Sequence, residues 1–396
     1  MWCVEVIEMI LIIFAICLHH LNAESVRVQL HPVSKADSVL SYLKIFQKSL
    51  QNLWMNLWKD DNTPAAEQLK NYENFQYYGE VMVGTPPQKL RVLFDTGSTD
   101  TWFPSRNCWP LDALCWVLRF YDSSKSSTYK PNGTNFEVYY MDSSYYGFWS
   151  MDTIQINSLV IHQQAFAQVT NIFNADFLTN QYDGIIGMSC RNISPYGNIP
   201  VVPNMFAENK EMDAVFSFYL SRKDGEPVGG ELVLGGINPE HFTGEFESLP
   251  TTSQTSWVVQ MKSIKINGME YFDETYFAAM DTGTSLIVGP SKIVNRINSQ
   301  LGAKLSVTGD YVINCNDIHT LPPIEFTFKR RTYVLQAKDY IVKQNFWLFS
   351  KCLSPFNAND NLIHNLWILG DVFMGKFYTV FDFGESQIRL ADVDDD

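Results

Sequence analysis

The 396-residue chain is poor in charge, and poorer still in positive charge. Only 18% of residues are charged, and 29 Lys and Arg stand against 43 Asp and Glu, a formal net charge of −14. That sign excludes a protein that tracks a phosphate backbone, so no nucleic-acid partner is expected. Low charge beside 46% hydrophobic residues also excludes a disordered chain. Histidine is scarce, and His162, His241, His319 and His364 are scattered without ligand-like spacing; neither a metal site nor a cofactor is expected. There is no Gly-rich phosphate loop. Beyond residue 18 no apolar run is long enough to span a bilayer. The tail ADVDDD is neither a retention signal nor a lipid-anchor signal.

What the chain does have is 27 Phe, 19 Tyr and 10 Trp, the material of aromatic-rich sheet cores. Its beginning reads differently. Met9 to Leu18 (MILIIFAICL) is an apolar run of signal-peptide length, and Ala23 precedes a plausible cut. Residues 1–23 are therefore expected to be a cleaved signal peptide, leaving no membrane association. Glu5 and Glu8 stand where basic residues are usual, and an uncleaved anchor is the alternative. Residues 24–70 are expected to be a pro-segment. Within them Ser38 to Lys59 carries apolar residues at a 3.6 period, and Lys59 to Pro64 breaks it. An N-terminal helix packed on the body is the other reading. The segment holds six Lys and Arg against five Asp and Glu, so most of the negative charge lies beyond it.

Cys3 and Cys17 leave with the signal. Cys108, Cys115, Cys190, Cys315 and Cys352 remain, an odd count that leaves one thiol over in an oxidising compartment. Asn132-Gly133-Thr134 and Asn192-Ile193-Ser194 are acceptor sequons that fit a secretory route.

From about residue 75 the chain alternates apolar runs with Gly, Pro, Asn and Asp, and one string occurs twice. Leu90 to Phe94 runs into Asp95-Thr96-Gly97-Ser98, and Phe277 to Met280 runs into Asp281-Thr282-Gly283-Thr284. One Asp-Thr-Gly arises by chance in roughly one chain of this length in ten; two in matching contexts are far rarer. A second motif keeps step. Ile185-Ile186-Gly187 follows Asp95, and Ile368-Leu369-Gly370 follows Asp281, each about 90 residues on. The order marks an internal duplication. If the halves pack about a pseudo-twofold axis, Asp95 and Asp281 meet. Two carboxyls in contact cannot both ionise easily, so the pair shares a proton. One then serves as acid and the other activates a water as base. Thr96 and Thr282 can bond across the axis, and Ser98 and Thr284 can bond the outer carboxylate oxygens.

These strings resemble the pepsin-like aspartic endopeptidases of the pepsin and cathepsin D group. Tyr78 to Gln88, FDTGSTDTWFPS (94–105), VGGELVLGG (228–236), Trp257, MDTGTSLIVGP (280–290) and WILGDVFMGKFYTVFD (367–382) carry the resemblance. It covers nearly all of residues 72–396. It implies an all-β fold of two lobes, 71–243 and 244–396, with the cleft between them and Asp95 and Asp281 as the dyad. It implies a flap hairpin within Phe136–Met151 whose Tyr140 pairs with Trp102. It implies an apolar subsite of Leu93, Phe177, Leu178, Tyr182 and Ile185, favouring hydrophobic side chains at the scissile bond. Cys108–Cys115 and Cys315–Cys352 match family disulfides, which leaves Cys190 as the odd thiol. The expected product is a monomeric, secreted enzyme, in a gut lumen or other extracellular space, or alternatively lysosomal. It would act on proteins or peptides and be blocked by pepstatin-type inhibitors.

Two departures qualify the resemblance. The flap tip reads Met141-Asp142-Ser143 where the family has Gly-rich turns, which favours narrower substrate range or a weak, peptide-binding homologue as the alternative. The nearly neutral pro-segment makes a weak electrostatic latch. A secreted structural or carbohydrate-binding sandwich would need neither dyad copy.

Overall fold

The computed structural model describes residues 66–394, apart from breaks at 73–75, 109–117, 141–142, 174–179, 191–193, 195, 223–228, 273–274, 307–308, 346–349 and 364. The expected signal peptide, the Ser38–Lys59 stretch and most of the expected pro-segment lie outside the described residues.

The body is β-rich, with short helices such as Val201–Glu208 and Ser291–Gln300 at its edges. In the first half β1 (Ala66–Tyr72), β2 (Gln76–Val83) and β3 (Gln88–Asp95) run antiparallel. The last six residues of β3 are all buried, as a strand covered on both faces requires, so its sequence is a continuous run rather than an alternation. Next come β4 (Trp102–Pro104), β5 (Lys130–Tyr140), β6 (Ser143–Ile156), β7 (Leu159–Phe173) and β8 (Gly184–Gly187). β5 and β6 form a long hairpin with Val138 opposite Tyr145 and Tyr140 opposite Ser143.

The duplication is visible as a repeated strand arrangement. β3 lies parallel to β8, from Val92 opposite Gly184 to Asp95 opposite Gly187, and β8 pairs antiparallel with β4. In the second half Tyr276–Met280 lies parallel to Leu366–Leu369, which pairs antiparallel with Ile287–Gly289. Each half thus carries its Asp-Thr-Gly at the end of a strand laid beside its own apolar-apolar-Gly strand.

A third sheet joins the halves. It runs from β1 through β10 (Gly230–Leu234), β9 (Val215–Leu220), Phe377–Asp382 and Gln387–Val393 to β11 (Phe242–Ser253), antiparallel throughout. Phe216 and Phe381 stack on it at 5.0 Å, with Trp257 edge-on to Phe381 at 5.1 Å. Trp257 Nε1 donates to Met188 O at 2.9 Å, so the second half is tied to the segment after β8. Residues 66–69, counted with the pro-segment on sequence, belong to this sheet, Ala66 to Leu69 pairing with Val233 to Gly230, and Lys70 pairs with Tyr78 of β2. Cys315 and Cys352 form a disulfide. Cys108 is disulfide-bonded, while Cys115 lies outside the described residues. Cys190 is buried in the main core.

One buried charge pair holds the dyad strand of the first half. Asp183, at the head of the first apolar-apolar-Gly motif, is fully buried. It accepts from Arg91 Nη2 at 2.5 Å, Arg91 Nε at 3.0 Å, Arg91 N at 2.9 Å and Arg119 N at 3.0 Å. Four donors on one carboxylate repay the cost of burying it, and removing the carboxylate leaves Arg91 uncompensated. Asp183→Ala is expected to destabilise the protein by about 3–5 kcal/mol, measured by equilibrium urea denaturation. A loss below about 1 kcal/mol would show the pair to be no stronger than a surface one.

Candidate active site

The two Asp-Thr-Gly turns come together although they lie 186 residues apart in the chain. Thr96 N donates to Thr282 Oγ1 at 3.0 Å, and Thr282 N donates to Thr96 Oγ1 at 3.0 Å. Each hydroxyl in turn donates to the opposite strand: Thr96 Oγ1 to Met280 O at 2.8 Å, and Thr282 Oγ1 to Phe94 O at 2.5 Å. Every donor has its twofold mate. Threonine suits the task because one hydroxyl both accepts and donates.

The glycines of the turns explain the close approach. A Cβ on Gly97 would lie 2.5 Å from Cγ of Asp281, and one on Gly283 would lie 2.3 Å from Oδ1 of Asp95. Neither glycine has positive φ. The sequence suggests that glycine serves the turn and the approach of another backbone; in the structure it makes room for the opposing carboxyl. The later glycines act similarly within each half. A Cβ on Gly187 would meet Thr99 C at 2.4 Å, and one on Gly370 would meet Thr284 O at 1.9 Å. The apolar-apolar-Gly motif is therefore the floor on which each Asp-Thr-Gly loop rests. Met188 N and Ser189 N secure the first loop by donating to Asp95 O and Ser98 O.

Both carboxyls are buried, Asp95 6% and Asp281 8% exposed. Each receives the amide of the glycine two residues on, at 2.8 Å. Thr284 Oγ1 also donates to Asp281 Oδ2 at 2.7 Å. Ser98 is not its mirror image: its buried hydroxyl makes no hydrogen bond of normal geometry, although its nearness pulls Asp95 down. Burial, then the charge of Asp281, push the Asp95 carboxyl up to about 8. Asp95 therefore keeps its proton through the acid range and up to neutral pH.

A third carboxyl enters from the second floor. Asp371, directly after Gly370, is 2% exposed. Burial and the neighbouring charges of Asp281 and Asp95 hold it well above the usual carboxylate range, with Arg222 acting in the opposite sense. In the sequence Asp371 stands inside a longer motif, Trp367 to Asp382. An ionisable residue immediately after a floor glycine was the available signal.

The apolar wall beside the dyad contains Leu93, Trp102, Tyr145, Tyr182 and Ile185 in one buried cluster. Phe177 and Leu178 lie outside the described residues, as do Met141 and Asp142 of the flap tip. Tyr140 ends β5 opposite Ser143, but its side chain is outside the description. Tyr145 packs its ring on Trp102 at a centroid distance of 4.7 Å. Asn132 is exposed on β5; Asn192 lies outside the described residues. Among the described residues no group of three or more His, Cys, Asp or Glu is placed to hold a metal ion, and no helix is long and apolar enough to cross a membrane.

Two lobes of like strand arrangement, each presenting an Asp-Thr-Gly turn to the other, define the pepsin-like aspartic proteases. The family model described as eukaryotic aspartyl protease matches residues 76–393. The chain is 40% identical over 333 residues to cathepsin D of Chionodraco hamatus, covering 83% of this chain and 84% of that one. It is 40% identical over 331 residues to cathepsin D of Gallus gallus and 37% identical over 343 residues to that of Homo sapiens, with 83% of each chain covered. The protein belongs to the eukaryotic aspartyl protease family, in its cathepsin D group, and is an aspartic endopeptidase.

The raised pKa of Asp95 has a consequence for stability. A carboxyl whose folded pKa lies above its unfolded value binds extra protons in the native state. Stability therefore falls as pH rises from the ordinary carboxyl range towards about 8. Asp95→Asn is neutral at every pH and escapes that loss. Its melting temperature relative to wild type is expected to be higher at about pH 7 than at about pH 4, measured by calorimetry; a pH-independent difference would contradict the shift.

Proposed function

We propose that the enzyme hydrolyses peptide bonds at acid pH through a water activated between Asp95 and Asp281. The observation that carries this reading is the reciprocal approach of the two turns, each glycine lying against the other half's carboxyl. The ionised carboxylate takes a proton from water as the oxygen attacks the scissile carbonyl carbon. The protonated partner gives its proton to the carbonyl oxygen, so charge never accumulates on the tetrahedral intermediate. Collapse breaks the C–N bond: the proton taken from water goes to the leaving nitrogen, and one hydroxyl of the intermediate returns its proton to the other carboxylate, restoring a dyad with one proton. The apolar cluster of Leu93, Tyr182 and Ile185 supports a preference for hydrophobic side chains beside the cut.

The same reading includes a zymogen made on the secretory route, released extracellularly or delivered to an acidic lysosome. Acid would activate it by protonating carboxylates. Ala66 to Leu69 pair within the sheet that joins the lobes and Lys70 pairs with β2, and a cut after residue 70 would remove most of that strand. We accordingly place the end of the pro-segment before Ala66. The N-terminal lobe then carries Asp95 and the flap, and the C-terminal lobe carries Asp281.

The precursor, expressed through the secretory pathway and acidified, is expected to cleave denatured globin between about pH 3 and 5 and to be stopped by pepstatin. Asp95→Asn and Asp281→Asn should each lower kcat/KM by about 10³-fold or more while circular dichroism stays native. Absence of pepstatin-sensitive cleavage in that range would overturn the reading and favour a peptide-binding homologue.

Modification of Asn132 is part of this proposal. Asn132 is exposed, Gly133 turns the chain at φ +76°, and Thr134 donates to Asn132 Oδ1 from both Oγ1 at 2.6 Å and N at 3.2 Å. This is a compact, accessible acceptor turn. Secreted protein should lose one glycan's worth of mass on Asn132→Gln, read by mass spectrometry; an unchanged mass would remove the site.

A further inference from the structure

Behind the first Asp-Thr-Gly loop lies a cavity of about 10 Å³, the space of one water. Asp100, Trp149, Gln164 and Ser194 are among its lining residues. Gln164 is committed elsewhere: its amide donates to Ala165 O and Ile199 O and accepts from Asn204. Asp100 and Trp149 are different. Asp100 is 9% and Trp149 1% exposed, yet Asp100 Oδ1 and Trp149 Nε1 are both buried without a protein hydrogen-bond partner. An indole N–H only donates and an ionised carboxylate only accepts. Leaving either bare in an apolar interior is costly. A molecule able to accept from one and donate to the other satisfies both.

We propose that this cavity binds a single ordered water that accepts from Trp149 Nε1 and donates to Asp100, tying the first catalytic loop to the base of the flap. Asp100 sits in the loop that begins at Asp95, and that loop is packed against Gly187. Trp149 sits on β6, the returning strand of the flap hairpin. Its ring lies edge-on to Phe136 at 5.3 Å and 5.4 Å from Tyr196. The Tyr196 hydroxyl then grips the outgoing strand, donating to Glu137 O at 2.9 Å and accepting from Glu137 N at 3.0 Å. A continuous path runs from the dyad loop through the water, Trp149 and Tyr196 to the flap. Burial raises Asp100 above the usual carboxylate range, and the Ser194 hydroxyl pulls it down. The link survives either state, since a protonated Asp100 donates to the water instead. Asp100 and Trp149 are thus positioning residues for the reaction proposed above, on which the kinetic part of this inference rests.

A crystal structure of the mature enzyme is expected to show one water within hydrogen-bond distance of both Asp100 Oδ1 and Trp149 Nε1. Trp149→Phe keeps the ring and removes the N–H; Asp100→Leu removes the carboxyl. Each should lower kcat/KM roughly tenfold, and the double variant should fall no further because both act through one water. Asp100→Asn, which can still bond the water, should recover most of what Asp100→Leu loses. A cavity without water density, a direct bond between the two groups, wild-type kinetics in Trp149→Phe, or fully additive losses would each overturn the proposal. Should Asp100→Leu fail to fold, the density and Trp149→Phe decide. The density reports on the cavity whether or not the enzyme turns over, so failure of the dyad reading is told apart from failure of this one.

Discussion

Everything in this molecule depends on two turns meeting head to head. Four threonine hydrogen bonds hold Thr96 against Thr282 and each turn against the other half's strand. They hold two buried carboxyls together. Burial first, and then the charge of Asp281, raise the Asp95 carboxyl to about 8, and a shared proton spares the pair from carrying two charges. The sheet that joins the halves adds its own hydrogen bonds to the threonine contact. The arrangement that makes the pair costly is also the one that gives it an acid and a base at the same pH.

The supporting structure is arranged in layers beneath that contact. Gly187 and Gly370 accept the loops at van der Waals distance or closer for any added side chain, so the floor strands fix where each carboxyl sits. Below them the halves differ. Asp183 heads the first floor strand and is fully satisfied by Arg91 and Arg119, which makes it a structural charge. Asp371 follows the second floor strand and sits in the field of the dyad with only Arg222 drawing it down. The pseudo-symmetry of the backbone is thus not carried into the electrostatics. Two like halves supply the geometry, while the buried carboxyls behind them are unlike: Asp183 is ion-paired and Asp371 is held well above the usual carboxylate range.

Much of the site was legible in the chain because its signals are local. An apolar run that ends in Asp-Thr-Gly is a strand leading into a turn whatever surrounds it, and its recurrence with a second motif in step needed only counting. The same locality explains what was missed. Tyr145 lies among four tyrosines between 139 and 146, and alternation alone does not show that its ring packs on Trp102. Residues 66–70 read as a continuation of a polar leader because a strand at a sheet edge alternates only weakly. Their membership of the sheet depends on Gly230–Val233, more than 160 residues on.

By itself, then, the sequence determined the duplication, the residue types of the dyad, the strand-and-turn character of the body and the acidic balance of the chain. These follow from periodicity, turn chemistry and charge, which act over a few residues. Only the tertiary structure decided that the turn glycines exist to admit the opposing carboxyl, that Asp183 is a paired structural charge while Asp371 faces the dyad, and that Asp100 and Trp149 line one small cavity. Each of those depends on side chains brought together from distant strands, where burial and proximity, not residue type, set the chemistry.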